Sequence, residues 1–151
     1  MKVIKGNLLK LAEAGKFDVI IYGCNCQCVM GAGIAKGIRF IFPEAYEADC
    51  ETEKGDRSKL GTISFATINR NGLQITVVNA YTQYHYRGRG VLVDYDAIRA
   101  VMGAVKSRFS GKRIGYPKIG AGLAKGDWET ISAIIDEELN GEDHTLVEYS
   151  A

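Results

Sequence analysis

The run Val19-Ile20-Ile21-Tyr22 places three β-branched residues in succession and puts no polar side chain on either alternate face. Successive side chains of a strand point to opposite sides, so such a strand has to be covered on both faces. That is the setting of a central strand in a largely parallel sheet with helices above and below. It runs into Asn25 and then Gly31-Ala32-Gly33-Ile34, ahead of a helical stretch that begins near Gly33 and ends before Pro43. The same order returns late in the chain. The strand Arg113-Ile114-Gly115-Tyr116 is followed by Pro117-Lys118-Ile119-Gly120-Ala121-Gly122-Leu123, and Trp128, Ile131, Ile134, Ile135 and Leu139 mark a last helix.

Val3-Ile4 reads as a short strand, with a turn at Gly6-Asn7 and a helix over 8–14 that stops at Gly15. A helix over 43–54 starts with Pro43 in its first turn, where the missing N–H costs nothing. Strands over 61–69 and 73–78 flank Asn71-Gly72, a strong hairpin turn. A polar, aromatic loop over 82–90 follows. Tyr95, Ile98, Val101, Met102, Val105 and Phe109 recur at helical spacing, which predicts an amphipathic helix over 94–109, and 145–149 is a closing strand. Interleaved strands and helices with one antiparallel hairpin predict an α/β fold with a mixed central sheet covered on both faces.

A chain of 151 residues suits one domain with a two- or three-layer core. Lys plus Arg number 19 against 18 Asp plus Glu, a net charge of +1, so no general attraction to nucleic acid or an acidic membrane is expected. Phosphates would have to be bound locally. No signal peptide or membrane span is legible, which predicts a cytoplasmic protein, and a monomer is expected. Cys24, Cys26 and Cys28 would share one face of an extended strand. Their spacing is not that of a zinc site and no histidine lies nearby, so reduced thiols and no metal are expected, and no cofactor.

The placement of the two glycine loops is more informative than their glycines. At the carboxyl ends of strands in an open α/β sheet, backbone N–H groups and helix N-termini converge on one crevice and cradle anions without Lys or Arg. Two such loops suit a diphosphate. Neither is a Walker loop or a G-x-G-x-x-G fingerprint, which disfavours a nicotinamide dehydrogenase.

Several runs resemble macro domains, namely Val3-Ile4-Lys5-Gly6-Asn7-Leu8-Leu9, the stretch from Asp18 to Asn25, and Val29-Met30-Gly31-Ala32-Gly33-Ile34-Ala35. Further on, the resemblance is carried by Phe42-Pro43-Glu44-Ala45-Tyr46, Val78-Asn79-Ala80-Tyr81-Thr82, Pro117 to Leu123, and Trp128-Glu129. The resemblance implies a three-layer α/β/α macro domain that binds ADP-ribose. It is strongest to the branch holding yeast-type ADP-ribose-1″-phosphate phosphatases, the terminal ADP-ribose glycohydrolase and the antitoxins that reverse DNA ADP-ribosylation. It implies that Asp18, with Val19 beside it, accepts a hydrogen bond from the adenine amino group and that Tyr149 lies near the adenine. Asn25 would sit beside the distal ribose, although a turn-forming Asn is the rival reading. Met30, Gly31, Ala32, Gly33 and Ile34 would wrap that ribose and one phosphate, and Gly120, Ala121, Gly122 and Leu123 would hold the diphosphate. Asn7, Leu8, Thr82, Gln83 and Lys118 complete the implied ligand set.

The match breaks where the branch carries its chemistry. The glycohydrolase and antitoxin members have a nucleophilic lysine after the Asn-x-x-Thr segment, where this chain has Gln83, and the glycohydrolase's aspartate after the second loop is matched by Ala124. Glutamine cannot form the covalent adduct. The phosphatase's histidine before Cys-Asn-Cys is matched by Tyr22. An acid or base is then expected from His85, one of only two histidines, or Asp127, whose rival role is the N-cap of the last helix. Arg87, Arg89 and Lys125 are candidates for a terminal phosphate, or exposed charge. Two functions follow from the resemblance: hydrolysis of ADP-ribose-1″-phosphate by water, or non-catalytic ADP-ribose binding. Hydrolysis of another ADP-ribose linkage ranks last.

Overall fold

In the computed structural model, which describes residues 1–151, the elements run β1 (Lys2–Gly6), α1 (Leu8–Glu13), β2 (Val19–Asn25), α2 (Gly33–Ile41), α3 (Pro43–Cys50), β3 (Ile63–Arg70), β4 (Leu73–Gln83), α4 (Tyr95–Phe109), β5 (Arg113–Tyr116), α5 (Trp128–Glu138) and β6 (Asp143–Tyr149). A 3-10 turn stands at Arg57–Lys59. The six strands form one sheet in the order β1-β6-β5-β2-β4-β3. Neighbours are parallel except β3, which pairs antiparallel with β4. Asn71 and Gly72 between them have φ of 53° and 77°, the conformation of a type I′ hairpin.

β2 shows how the sequence dictates the layers. Val19 and Ile21 pack with Ile98, Val101 and Met102 of α4 and Ile131 and Ile135 of α5. Ile20 and Tyr22 pack on the other face with Leu8, Ile38 and Ala45 from α1, α2 and α3 and with Phe42 between the last two. None of the four is more than 1% exposed. Each such side chain contributes roughly 1.5–3 kcal/mol by leaving water, so a polar replacement on either face breaks a layer. The result is the α/β/α sandwich with a mixed sheet that the sequence predicts. No helix is long and apolar enough to cross a membrane.

Three expectations need correction. β4 continues through Gln83, so Thr82 and Gln83 end a strand instead of opening a loop. Its polar residues hide it from a hydrophobic pattern: buried Asn79 uses Nδ2 to donate to Ala45 O and Ser64 Oγ, each at 3.0 Å. α3 ends at Cys50, short of residue 54, as the Thr52 N–H turns back to Asp49 O at 3.0 Å. Cys24 and Cys26 do share the face of Ile20 and Tyr22, but Cys28 lies past the strand end at φ 57°, and its Sγ points to Asp49 O at 3.3 Å. All four thiols are free.

Candidate functional site

β2 and β5 are parallel neighbours, yet β2 leads to α2 on one face and β5 leads to α5 on the other. Where adjacent connections part to opposite faces, a crevice opens beyond the carboxyl ends of the strands. Here it measures about 680 Å³. The end of β2 and its following loop supply Gly23, Asn25, Val29 and residues 31–35. The end of β4 supplies Gln83, the loop beyond it Tyr86 and Arg87, and the loop after β5 residues 117–120 and 122–124. A second cavity of about 450 Å³ adjoins it through Gly33, Ile34 and Pro117. Its other walls are Gly6, Asn7, Leu8, Leu9, Val147 and Tyr149, from the ends of β1 and β6 and the start of α1. Together they form one trough, apolar at one end and lined by glycine loops at the other.

The loops present unused donors. The N–H groups of residues 31–35, 120 and 122–124 donate to no other backbone group; those of 33–35 belong to the first turn of α2, which has no partner within the helix. Gly33 has φ 59°, and a Cβ there would meet Leu123 Cδ1 at 3.6 Å, so the two loops approach each other across the crevice. Such converging amides bind an oxyanion without any fixed cation.

No family model matches the chain. It is 36% identical over 141 residues to an uncharacterised 17.5 kDa protein of Enterobacteria phage T4 from the tk-vs intergenic region, covering 90% of this chain and 88% of that one. It is 27% identical over 168 residues to an ADP-ribose 1″-phosphate phosphatase of Scheffersomyces stipitis, covering 93% and 97%. Among solved structures, the macrodomain of Mycobacterium tuberculosis DarG superposes with a TM-score of 0.76 at 20% identity, over 99% of this chain and 97% of that one. The chain has the macrodomain fold. Thermosipho africanus DarTG in complex with ADP-ribose also superposes, with a TM-score of 0.74 at 16% identity, over 97% of this chain and 40% of that one.

Within this fold, Gly31, Ala32, Gly33, Ile34, Gly120, Gly122, Leu123, Lys118 and Gln83 line the crevice, and Asn7, Leu8 and Tyr149 line the adjoining slot. Asn7 also caps α1, its Oδ1 accepting from Leu9 N at 3.1 Å and Lys10 N at 3.2 Å. Asn25 reaches the crevice, but its carboxamide closes the local turn: Nδ2 donates to Val29 O at 2.8 Å and Oδ1 accepts from Gln27 N at 2.9 Å. Gln83 Nε2 donates to His85 O at 3.0 Å.

Other expected residues lie elsewhere. Asp18 precedes the first residue of β2, whose seven residues span about 20 Å, so it stands at the end of the sheet opposite the trough. There its carboxylate accepts from Arg113 N at 2.8 Å, Nε at 3.1 Å and Nη2 at 2.9 Å, and Arg113 holds it below the usual carboxylate range. Val19 is a core residue of the same end. The side chain of Met30 is buried, accepting through Sδ from Tyr22 Oη at 3.4 Å. Ala121 does not line the crevice, and Thr82 is sealed beneath it.

The two acid–base candidates also fall outside the crevice lining. His85 Nδ1 accepts from Arg87 N at 3.0 Å and the ring stacks on Tyr86, with centroids 4.4 Å apart. Asp127 caps α5: its Oδ2 accepts from Thr130 N at 3.1 Å and Thr130 Oγ1 at 2.6 Å, and these bonds depress its pKa. Arg89 and Lys125 are likewise absent from the lining, whereas Arg87 and Tyr86 are in it. The sequence offered no signal for Tyr86, since a loop residue's direction follows from the tertiary path of the loop. For Gly23, Val29 and Pro117 the signal was adjacency to the glycine loops.

Proposed function

We propose that the trough binds ADP-ribose, with the adenosine in the slot of Asn7, Leu8, Val147 and Tyr149, the diphosphate between the two glycine loops, and the distal ribose toward Gln83, Tyr86 and Arg87. The observation that carries this reading is the set of unused N–H groups that two loops, leading to helices on opposite faces of the sheet, direct into one crevice. The neighbouring slot supports it, because an apolar cleft with one aromatic suits a purine ring. Asp18 takes no part in this arrangement.

We further propose that the reaction is release of the terminal phosphate from ADP-ribose-1″-phosphate. Water attacks phosphorus, the bond from phosphorus to the 1″ oxygen breaks, and that oxygen leaves protonated on ADP-ribose. Arg87 and Lys118 line the crevice and neither is paired with a carboxylate. They are therefore available for charge-assisted bonds to a third phosphate, and catalysis would rest on positioning and preorganised donors. The phosphatase of S. stipitis, similar over nearly its whole length, supports this choice of substrate. A non-catalytic ADP-ribose module is the second reading, favoured by the engagement of His85 and Asp127 outside the crevice.

Calorimetric titration with ADP-ribose and phosphate release from ADP-ribose-1″-phosphate test both levels. Gly122→Glu is the control, since a Cβ there meets nothing within 4 Å and the carboxylate would oppose the diphosphate. Binding by the wild type that Gly122→Glu abolishes supports the site. Phosphate release by the wild type, weakened in Arg87→Ala, supports the phosphatase, and binding without release selects the module. Absence of binding rejects the ADP-ribose reading.

A further inference from the structure

Phosphate release by water needs that water turned with a lone pair toward phosphorus, and the crevice offers few side chains to turn it. Its lining holds no carboxylate and no imidazole, and Arg87 and Lys118 can only donate. Asn25 Oδ1 is already taken by Gln27 N at 2.9 Å. Two lining side chains keep an acceptor, Tyr86 and Gln83. Tyr86 is 40% exposed, and its phenol rotates and donates as readily as it accepts.

Gln83 is held at both ends. Its backbone pairs with Asn25 in the parallel ladder of β2 and β4 and bridges to Val93 on the other side. Its Nε2 donates to His85 O at 3.0 Å, which fixes the way the carboxamide faces, since the flipped amide would set two oxygens against each other. Oε1 is then the free end. It accepts from no group of the protein, and in this half-buried residue it stays open to the crevice, because Thr82 Oγ1 is the one buried side-chain polar atom without a partner. The crevice wall thus carries one pre-oriented acceptor, anchored by the loop that also bears Tyr86 and Arg87.

We infer that Gln83 Oε1 accepts a hydrogen bond from the water that attacks phosphorus and so aims its lone pair, which makes Gln83 a catalytic residue of the crevice. The inference rests on the phosphatase reading and deepens it. Phosphoryl transfer leaves the protein little covalent chemistry to do, and a neutral glutamine amide suffices to orient the attacking water. Of that water's two protons, one stays on the released phosphate and the other ends on the 1″ oxygen, so Gln83 gains and loses none. An acid or base side chain inside the crevice is then not required. His85 contributes its carbonyl oxygen, which holds the amide, while its ring stays outside the lining.

Steady-state phosphate release from ADP-ribose-1″-phosphate, calorimetric titration with ADP-ribose and thermal unfolding of the free protein test the assignment in Gln83→Met and Gln83→Glu. Gln83→Met keeps the length of the side chain and removes the acceptor. It is expected to fold and to lower kcat about 100-fold, as for a misaligned nucleophile, with KM and ADP-ribose affinity changed by no more than about 3-fold. Gln83→Glu restores an acceptor and is expected to recover at least about 10-fold of that kcat, with KM raised by the added negative charge. Should Gln83→Met fail to fold, Gln83→Asn, which withdraws the amide by one methylene, carries the same expected split. Unchanged kcat in the variants that fold, a loss that falls on KM alone, or a Gln83→Glu as slow as Gln83→Met overturns the inference while leaving the phosphatase reading intact. A wild type that binds ADP-ribose and releases no phosphate rejects the phosphatase reading and this inference together.

Discussion

Single residues in this chain divide according to which end of the sheet they occupy. Asn25 spends both halves of its carboxamide on the turn that carries the first glycine loop. Asn25→Asp keeps the acceptor for Gln27 N but sets a carboxylate oxygen against Val29 O and adds negative charge beside the proposed phosphate cradle. Calorimetry is expected to show at least about a 10-fold loss of ADP-ribose affinity, since like charges and an unmet carbonyl each cost on the order of 1 kcal/mol. Asp18 stands at the other end, tied to Arg113. Its depressed pKa means that the pair contributes above the ordinary carboxylate range and that the contribution fades as pH falls through the lowered value. The side chains are 35% and 50% exposed, so Asp18→Ala is expected to cost at most about 1 kcal/mol in urea unfolding at pH 7 and to leave ADP-ribose affinity unchanged. A large loss of affinity in Asp18→Ala would contradict the placement of the adenine in the slot near Tyr149.

Between elements, a polar seam joins α3 to β4 beneath the first loop. Tyr81 Oη donates to Asp49 Oδ1 at 2.7 Å, and Asp49 is 1% exposed. Burial raises the Asp49 pKa, with Lys59 opposing the shift. A carboxyl whose folded value lies above its unfolded one contributes its full stability below the unfolded pKa of about 3.9, and that contribution is lost as pH rises through the folded value. Asp49→Asn keeps an oxygen for Tyr81 and cannot ionise. Urea unfolding at a series of pH values is therefore expected to show the wild type losing stability relative to Asp49→Asn as pH rises above the ordinary carboxylate pKa, and parallel curves would rule out the buried carboxyl as the cause. This seam also explains what the sequence withheld. β2, the hairpin turn and the α4 stripe were legible because apolar period and turn chemistry act locally. The last residues of β4 were not, because Asn79 and Thr82 are polar and buried, and the partners of Asn79 lie in other elements. The direction of β2 decided the fate of Asp18: the same residue reads as a ligand contact or a distant ion pair depending on which end of the strand faces the crevice. Both glycine loops were legible from their place between strand and helix, whereas the engagement of His85 and Asp127 depends on how loop and cap fold back.

At the scale of the whole molecule, the trough crosses the carboxyl ends of five of the six strands, β1, β6, β5, β2 and β4. A ligand lying along it contacts loops that lead to helices on opposite faces, so it couples the two core layers that the sheet otherwise separates. Binding to the folded state alone stabilises it by about 2.7 kcal/mol at a ligand concentration of 100 times Kd. For a chain of 151 residues that corresponds to a rise in the thermal midpoint of roughly 5–10 °C. Thermal unfolding is expected to show that rise with ADP-ribose for the wild type and none for Gly122→Glu. Hydrogen exchange adds the spatial half of the argument. The amides of 31–35 and of 120–124 have few internal acceptors, so they are expected to exchange readily in the free protein and to slow together when ADP-ribose is added. The amides around Asp18 and Arg113, at the far end of the same strands, are expected to keep their rates. Slowing confined to one glycine loop would mean that the ligand does not bridge the crevice, and would leave the diphosphate without its second cradle.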